Sequence, residues 1–297
     1  LIALVSNASR ATQTMVCATL CDIESRDLSA IISPALIVIG EVVSLHEELN
    51  FMKRRPLFQK RYLLPQFAHA DRGLQLQLQD LGAMTACVTT GCIVANPDLL
   101  KEIALKDTTV LIFSSRNAIE LFFEQMLAQH IDLRQLHAIR LAVVGEKSRQ
   151  VLARYGVQAD ILPKKEDSEH LAQELIKQLT AKDHVVLVKA DNDNDVLYHR
   201  LKEVATVQVV RAYTVESLPF QLEPQTYDGA LFTCSFHVHA CIEQLKKQQD
   251  ITGLPVYSMG SHTSKALQSY GCRHIIELPR ADKALFGRCI VEEEAHV

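Results

Sequence analysis

Along most of this chain, short runs of consecutive apolar residues end in a small polar cluster and give way to an apolar stripe of helical period. Val110–Phe113 (VLIF) predicts a buried strand. Asn117–Gln129, with Ile119, Leu121, Phe122 and Met126, predicts an amphipathic helix behind it. The cycle recurs with a strand at Leu141–Val144 and a helix at Lys147–Tyr155, closed by Gly156 as a helix stop. His184–Val188 and Asp195–Val204 form the next strand and helix. Val207–Val215 is a longer strand, placed here as one of the connections between lobes. Apolar strands alternating with helices predict an α/β fold with parallel sheets.

The pattern is also written twice. Val110–Phe123 is echoed by Ala230–Cys241, and Leu141–Pro163 by Val256–Pro279. In the second pair Gly145 matches Gly260, Ser148 matches Thr263, Leu152 matches Leu267, and Tyr155-Gly156 matches Tyr270-Gly271. The copies lie roughly 115–119 residues apart, too far for a solenoid, whose units run about 20–50 residues. Two similar α/β lobes are expected, with a small-molecule site in the cleft between them.

Residues 1–54 read differently. Leu1–Val5 is an apolar strand, Asn7–Ser9 a turn, and Pro34–Leu45 (PALIVIGEVVSL) starts as a buried strand too short to span a membrane. These residues are too few to build a core alone. Met52–Arg61, basic and proline-bearing, reads as a solvated linker. The chain opens in mid-strand at Leu1, so a fragment is expected.

A length of 297 residues suits about two domains, and 48% apolar residues suits an ordinary globular core. The net charge of −4 gives no global reason to expect nucleic acid or an anionic membrane as partner. The 8 scattered cysteines read as reduced thiols of a cytoplasmic protein.

Small hydroxyl residues follow the strands in both repeats: Ser114-Ser115 and Thr233-Cys234-Ser235, then Ser148 and Thr263 in the second motifs. Such residues are expected to cap the helices, leaving other first-turn amides free to bind an anion. Taken singly, each is more simply an N-cap and nothing more; the repetition at all four helix starts is what favours the anion site. Tyr213, at the end of the long strand, is placed to give a proton to a leaving group, or is an ordinary strand tyrosine. Cys234, His237, His239 and Cys241 lack the ligand spacing of a structural zinc site, and no metal is expected. The acidic stretch Asp191–Asp195 lacks the glycine and distal glutamate of a calcium loop and reads as a solvated turn.

Taken in order, IFSSRNAIELFF, AVVGEKSRQVLARYG, RAYTV, LFTCSFHV and SMGSHTSKALQSYG resemble uroporphyrinogen-III synthase, over about residue 57 to the end. Residues 1–54 resemble the closing segment of uroporphyrinogen-III C-methyltransferase, through Asn7-Ala8-Ser9, Gln13, Thr19-Leu20 and Pro34–Val43. The resemblance implies two lobes with parallel sheets joined by a two-strand hinge, one from 57–90 and 217–297, the other from 91–212. A small α/β methyltransferase remnant precedes them.

It further implies a lyase that converts hydroxymethylbilane to uroporphyrinogen III, feeding haem, sirohaem or corrinoid formation, with hydroxymethylbilane synthase as upstream partner. The synthase would need no cofactor. S-adenosylmethionine belongs only to a whole methyltransferase, where Ala8 matches a position near the adenosyl group. Tyr213 matches the family tyrosine that helps the hydroxyl leave, and Ser115, Ser148, Cys234 and Thr263 match cleft positions. Two departures stand out: Leu64-Pro65-Gln66 replaces a Thr-Arg ending, and Asn194 stands near where a basic residue is usual. Those departures suit a rival reading, a non-catalytic bilobal module that holds a tetrapyrrole. A periplasmic solute-binding protein also has two α/β lobes, but fits poorly with so many free cysteines.

Overall fold

A computed structural model describes residues 1–191 and 193–295. The chain divides into two units, Leu1–Gly91 with Ser217–Val297, and Cys92–Glu216.

The first residues form a three-stranded antiparallel sheet in the order β2-β1-β3, from β1 (Ile2–Ser6), β2 (Thr14–Ala18) and β3 (Ala35–Ile39). β2 has no counterpart among the elements expected from the sequence. β3 also corrects an expectation. Its strand is present, but Leu36, Ile37 and Ile39 are about 60% exposed, so it is not buried. The apolar run forms a strand by its β-propensity, and among the described residues no element packs over it. After α1 (His46–Leu49), the stretch expected as a solvated linker is docked: Met52 and Leu57 are buried, and Leu57 N–H donates to Leu81 O at 2.9 Å.

β4 (Arg61–Phe67), α2 (Gly73–Asp80) and β5 (Met84–Ala95) then start a parallel sheet. β5 begins in the first unit and ends in the second.

The second unit holds β6 (Val110–Phe113), α3 (Arg116–Ala128), β7 (Arg140–Val143), α4 (Glu146–Arg154), α5 (Ser168–Ile176), β8 (His184–Ala190), α6 (Val196–Leu201) and β9 (Thr206–Ser217). Its strands run parallel in the order β9-β8-β6-β7. Alternate residues of β6 serve opposite cores: Leu111 and Phe113 one, Val110 and Ile112 the other. Ile119, Phe122, Phe123 and Met126 put one face of α3 onto the first of these, each fully buried side chain contributing about 1.5–3 kcal/mol.

The chain returns to the first unit with β10 (Gly229–Phe232), α7 (Ser235–Gln248), β11 (Val256–Ser258), α8 (Ser261–Ser269), β12 (Ile275–Glu277) and α9 (Leu285–Glu294). The parallel order there is β12-β11-β10-β4-β5. The internal repeat is therefore structural: β6-α3-β7-α4 and β10-α7-β11-α8 are the same strand–helix–strand–helix unit. Even the helix stops agree. Gly156 and Gly271 take φ of 76° and 88° after α4 and α8. Each donates to the carbonyl three residues back, Ala153 or Gln268, while the next residue reaches Leu152 or Leu267. This double bond pattern satisfies the last carbonyls of a helix and favours glycine at the left-handed position.

Candidate functional site

In an open parallel sheet, ligands bind at the carboxyl ends of the strands, where helix N-termini converge. In the second unit that edge brings together residues far apart in sequence. Ser114 follows β6 and donates its N–H to Val188 O at 3.1 Å, while its Oγ is buried without a hydrogen-bond partner among the described residues. Ser115 is the N-cap of α3, with extended backbone and its Oγ accepting from Ala118 N–H at 3.2 Å. The same Oγ lies 3.2 Å from the Tyr213 hydroxyl. Since it already accepts from Ala118, Ser115 can donate its own proton to the phenol oxygen and leave the phenol proton for a ligand.

Tyr213 is aimed by a β-bulge. Lys189 pairs with Arg211, but Ala190 pairs with Tyr213, which leaves Ala212 as an extra residue in β9. The consecutive residues Ala212 and Tyr213 consequently pack into the same core. Asp191 N–H donates to Tyr213 O at 2.9 Å, and Arg211 Nε reaches Asp191 at 2.7 Å, bracing the bulge from the adjoining loop.

That loop is organised by Lys189, only 3% exposed at the end of an otherwise apolar strand. Its Nζ donates to Asp193 O at 2.7 Å, Asn194 O at 2.9 Å and Asp195 Oδ1 at 2.7 Å, using all three protons. The hydrogen bond from Lys189 holds the Asp195 carboxyl below its ordinary range. Asn194 uses its backbone oxygen for Lys189, while its side chain accepts from Val196 N–H at 3.2 Å. Asn192, within the acidic stretch read as a turn, lies outside the described residues.

The capping expectation needs correction. Only Ser115 among the named hydroxyls acts as an N-cap. The N-caps of α4, α7 and α8 are Gly145, Cys234 and Gly260, none with a side-chain cap bond. Ser148 and Thr263 sit inside the first turns, 7% and 4% exposed. Glycine starts a helix through its backbone alone, so the hydroxyls of Ser148 and Thr263 are not needed as caps. Thr233 precedes the Cys234 cap and Ser235 opens α7. Burial pushes the Cys234 thiol up.

The residues weighed as metal ligands occupy separate environments. His237 Nδ1 lies 2.7 Å from Thr90 Oγ1 in the core, and His239 Nδ1 lies 3.1 Å from the Tyr270 hydroxyl. Cys241 is fully buried, its thiol pushed up to about 12 by burial. Among the described residues no group of three or more His, Cys, Asp or Glu could hold a metal ion. Ala8 lies in the turn after β1, between the positive-φ residues Asn7 and Ser9. Sequence reasoning missed Lys189 and the Thr90–His237 pair. A lone lysine closing the apolar run HVVLVKA was the available signal for the first; nothing local marks the second.

A family model described as uroporphyrinogen-III synthase HemD matches residues 74–284. The chain is 24% identical over 287 residues to the porphyrin biosynthesis protein HemD of Ruminiclostridium josui, covering 92% of this chain and 57% of that protein. It thus spans little more than half the length of this curated relative. Its fold is similar to a uroporphyrinogen III synthase of Thermus thermophilus, with a TM-score of 0.55 and 16% identity over 79% of this chain and 99% of that one. It is similar also to the uroporphyrinogen-III synthetase of Helicobacter pylori, with a TM-score of 0.53 and 15% identity over 77% and 98%. No helix among the described residues is long and apolar enough to cross a membrane.

Proposed function

The chain belongs to the uroporphyrinogen-III synthase family, and from that membership we propose that it closes hydroxymethylbilane to uroporphyrinogen III. The observation that carries the reading is the Tyr213–Ser115 pair, set by a bulge at the carboxyl edge of a parallel sheet. In the proposed reaction the C–O bond of the hydroxymethyl group breaks and the Tyr213 phenol protonates the departing hydroxyl, which leaves as water. The electron-poor carbon is attacked by the substituted carbon of the last ring, giving a spiro intermediate. Reopening and closure at the other carbon inverts that ring, and the proton lost from it restores the phenol. Holding a flexible chain in the one shape that closes this way is a proximity and orientation effect.

The substrate carries eight carboxylates. Helix starts whose caps accept no first-turn N–H with their side chains, at Gly145, Cys234 and Gly260, suit such groups. Ser114, Ser115, Ser148, Thr233, Cys234, Ser235 and Thr263 are the substrate contacts of this reading. Residues 1–54 we assign to the closing segment of a uroporphyrinogen-III C-methyltransferase. That assignment rests on the motifs Asn7-Ala8-Ser9, Gln13, Thr19-Leu20 and Pro34–Val43.

The second reading, a non-catalytic tetrapyrrole holder, is favoured by one observation. Lys189, the buried cation at this edge, spends its protons on its own loop rather than on a ligand. The two readings separate in one experiment, in which hydroxymethylbilane is generated in situ and its disappearance followed. The enzyme reading expects consumption in proportion to added chain; spontaneous decay unaffected by the chain, with porphyrin still bound, supports the holder.

A further inference from the structure

Among the described residues, a buried side-chain pair in the first unit joins Thr90 and His237. Thr90 and His237 are 0% and 1% exposed, and Thr90 Oγ1 lies 2.7 Å from His237 Nδ1. The Thr90 hydroxyl has no other partner among the described residues. A buried hydroxyl proton left unpaired is costly, so Thr90 donates to Nδ1. That fixes the neutral imidazole with its proton on Nε2, and Nε2 has no protein partner among the described residues. Burial and the nearby Lys283 charge hold His237 down at about 4, so the ring stays neutral at physiological pH. Phe67, with ring centroids 4.4 Å apart, fixes the imidazole plane.

His237 lines a cavity of about 60 Å³ together with Gln66, Phe67, Asp71, Thr233 and Lys283. It lies at the carboxyl ends of β4 and β10, where a parallel sheet binds ligands. One water needs about 10–15 Å³ of such space, so the cavity has room for a small polar group such as a carboxylate. Lys283 Nζ is 3.0 Å from Asp71 Oδ2 and keeps further protons to give.

We propose that this cavity is a carboxylate subsite in which His237 Nε2–H and the Lys283 ammonium are the donors, and Thr90 sets the tautomer from behind. As the seat of one side arm of the tetrapyrrole it rests on the synthase reading; as a carboxylate site it does not. Asp71, an acidic group on the same rim, opposes the ligand and limits its affinity.

The test follows the side-chain nitrogens of ¹⁵N-histidine-labelled full chain by NMR, titrated with propionate and separately with uroporphyrin III. His237 is expected in the Nε2–H form, with its signal moved saturably by propionate. Lys283→Met should weaken that response about tenfold, the scale of a hydrogen bond to a charged group. Asp71→Asn should strengthen it. Both substitutions lie on the exposed rim, and thermal melting confirms that each variant is folded. A proton on Nδ1, or a signal that propionate leaves unmoved, overturns the subsite. If propionate moves the signal but uroporphyrin III does not bind, the subsite stands and the synthase reading fails. If the porphyrin binds while neither it nor propionate moves the signal, the subsite fails and the synthase reading stands.

Discussion

Replacing Tyr213 by Phe removes one oxygen from the candidate site and little else. The ring is 7% exposed and packs in the main core of the second unit, so phenylalanine keeps that burial. Among the described residues, the only hydrogen bond lost from the hydroxyl is the 3.2 Å contact with Ser115, whose Oγ still accepts from Ala118. A neutral bond of this kind contributes about 0.5–1.5 kcal/mol, so urea unfolding should shift by no more than that. Turnover should suffer more. A positioned acid contributes about 10²–10⁴-fold in general, but the bilane also loses water unaided, so a fall of several-fold up to about 100-fold is expected. The assay is initial-rate consumption of hydroxymethylbilane, with unfolding measured on the same preparation. A rate within about twofold of the parent would refute the role of Tyr213 as acid, because the phenol would then be dispensable in the step assigned to it.

Thr263→Val deletes a hydroxyl at a 4% exposed position and keeps its shape, so it should weaken porphyrin binding several-fold while stability changes by less than about 1 kcal/mol; lost stability with normal binding would make Thr263 purely structural. His237, about 4 in the fold against an ordinary 6.5, stabilises the protein fully above the unfolded value, and that stability is lost as pH falls toward 4. Between about pH 7 and pH 5 it should contribute a loss on the order of 2 kcal/mol, read as the difference in urea unfolding between the parent and a Thr90→Val/His237→Phe double variant. An equal pH response in both would show that His237 is not the group responsible. In the native protein at pH 8, iodoacetamide should label the exposed Cys21 and spare Cys241, whose thiol is buried and pushed up to about 12. Rapid labelling of Cys241 would mean the α7 core opens readily.

The parallel sheets and their helices were legible because strands buried on both faces leave unbroken apolar runs, and Val110–Phe113 forms its strand over those very residues. Gly156 and Gly271 were legible as helix stops because the left-handed position favours glycine. The exposure of β3 was not, since an apolar strand reads alike whether or not something covers it. Nor were the caps: Gly145 and Gly260 start their helices by backbone geometry, and Ser148 and Thr263 lie inside the first turns. Tyr213 was singled out by position, but its link to Ser115 needs a one-residue bulge that no local pattern announces. Thr90 and His237 were harder still, because they meet only where α7 approaches β5 from far along the chain.

The most direct test of the synthase account is the isomer composition of the porphyrin formed from hydroxymethylbilane as the chain concentration is raised. Spontaneous closure gives the type I isomer, whereas ring inversion gives type III. The account predicts that type III rises with chain concentration until it dominates after oxidation and separation. A product that stays type I at every concentration, from a chain shown to be folded, would contradict it.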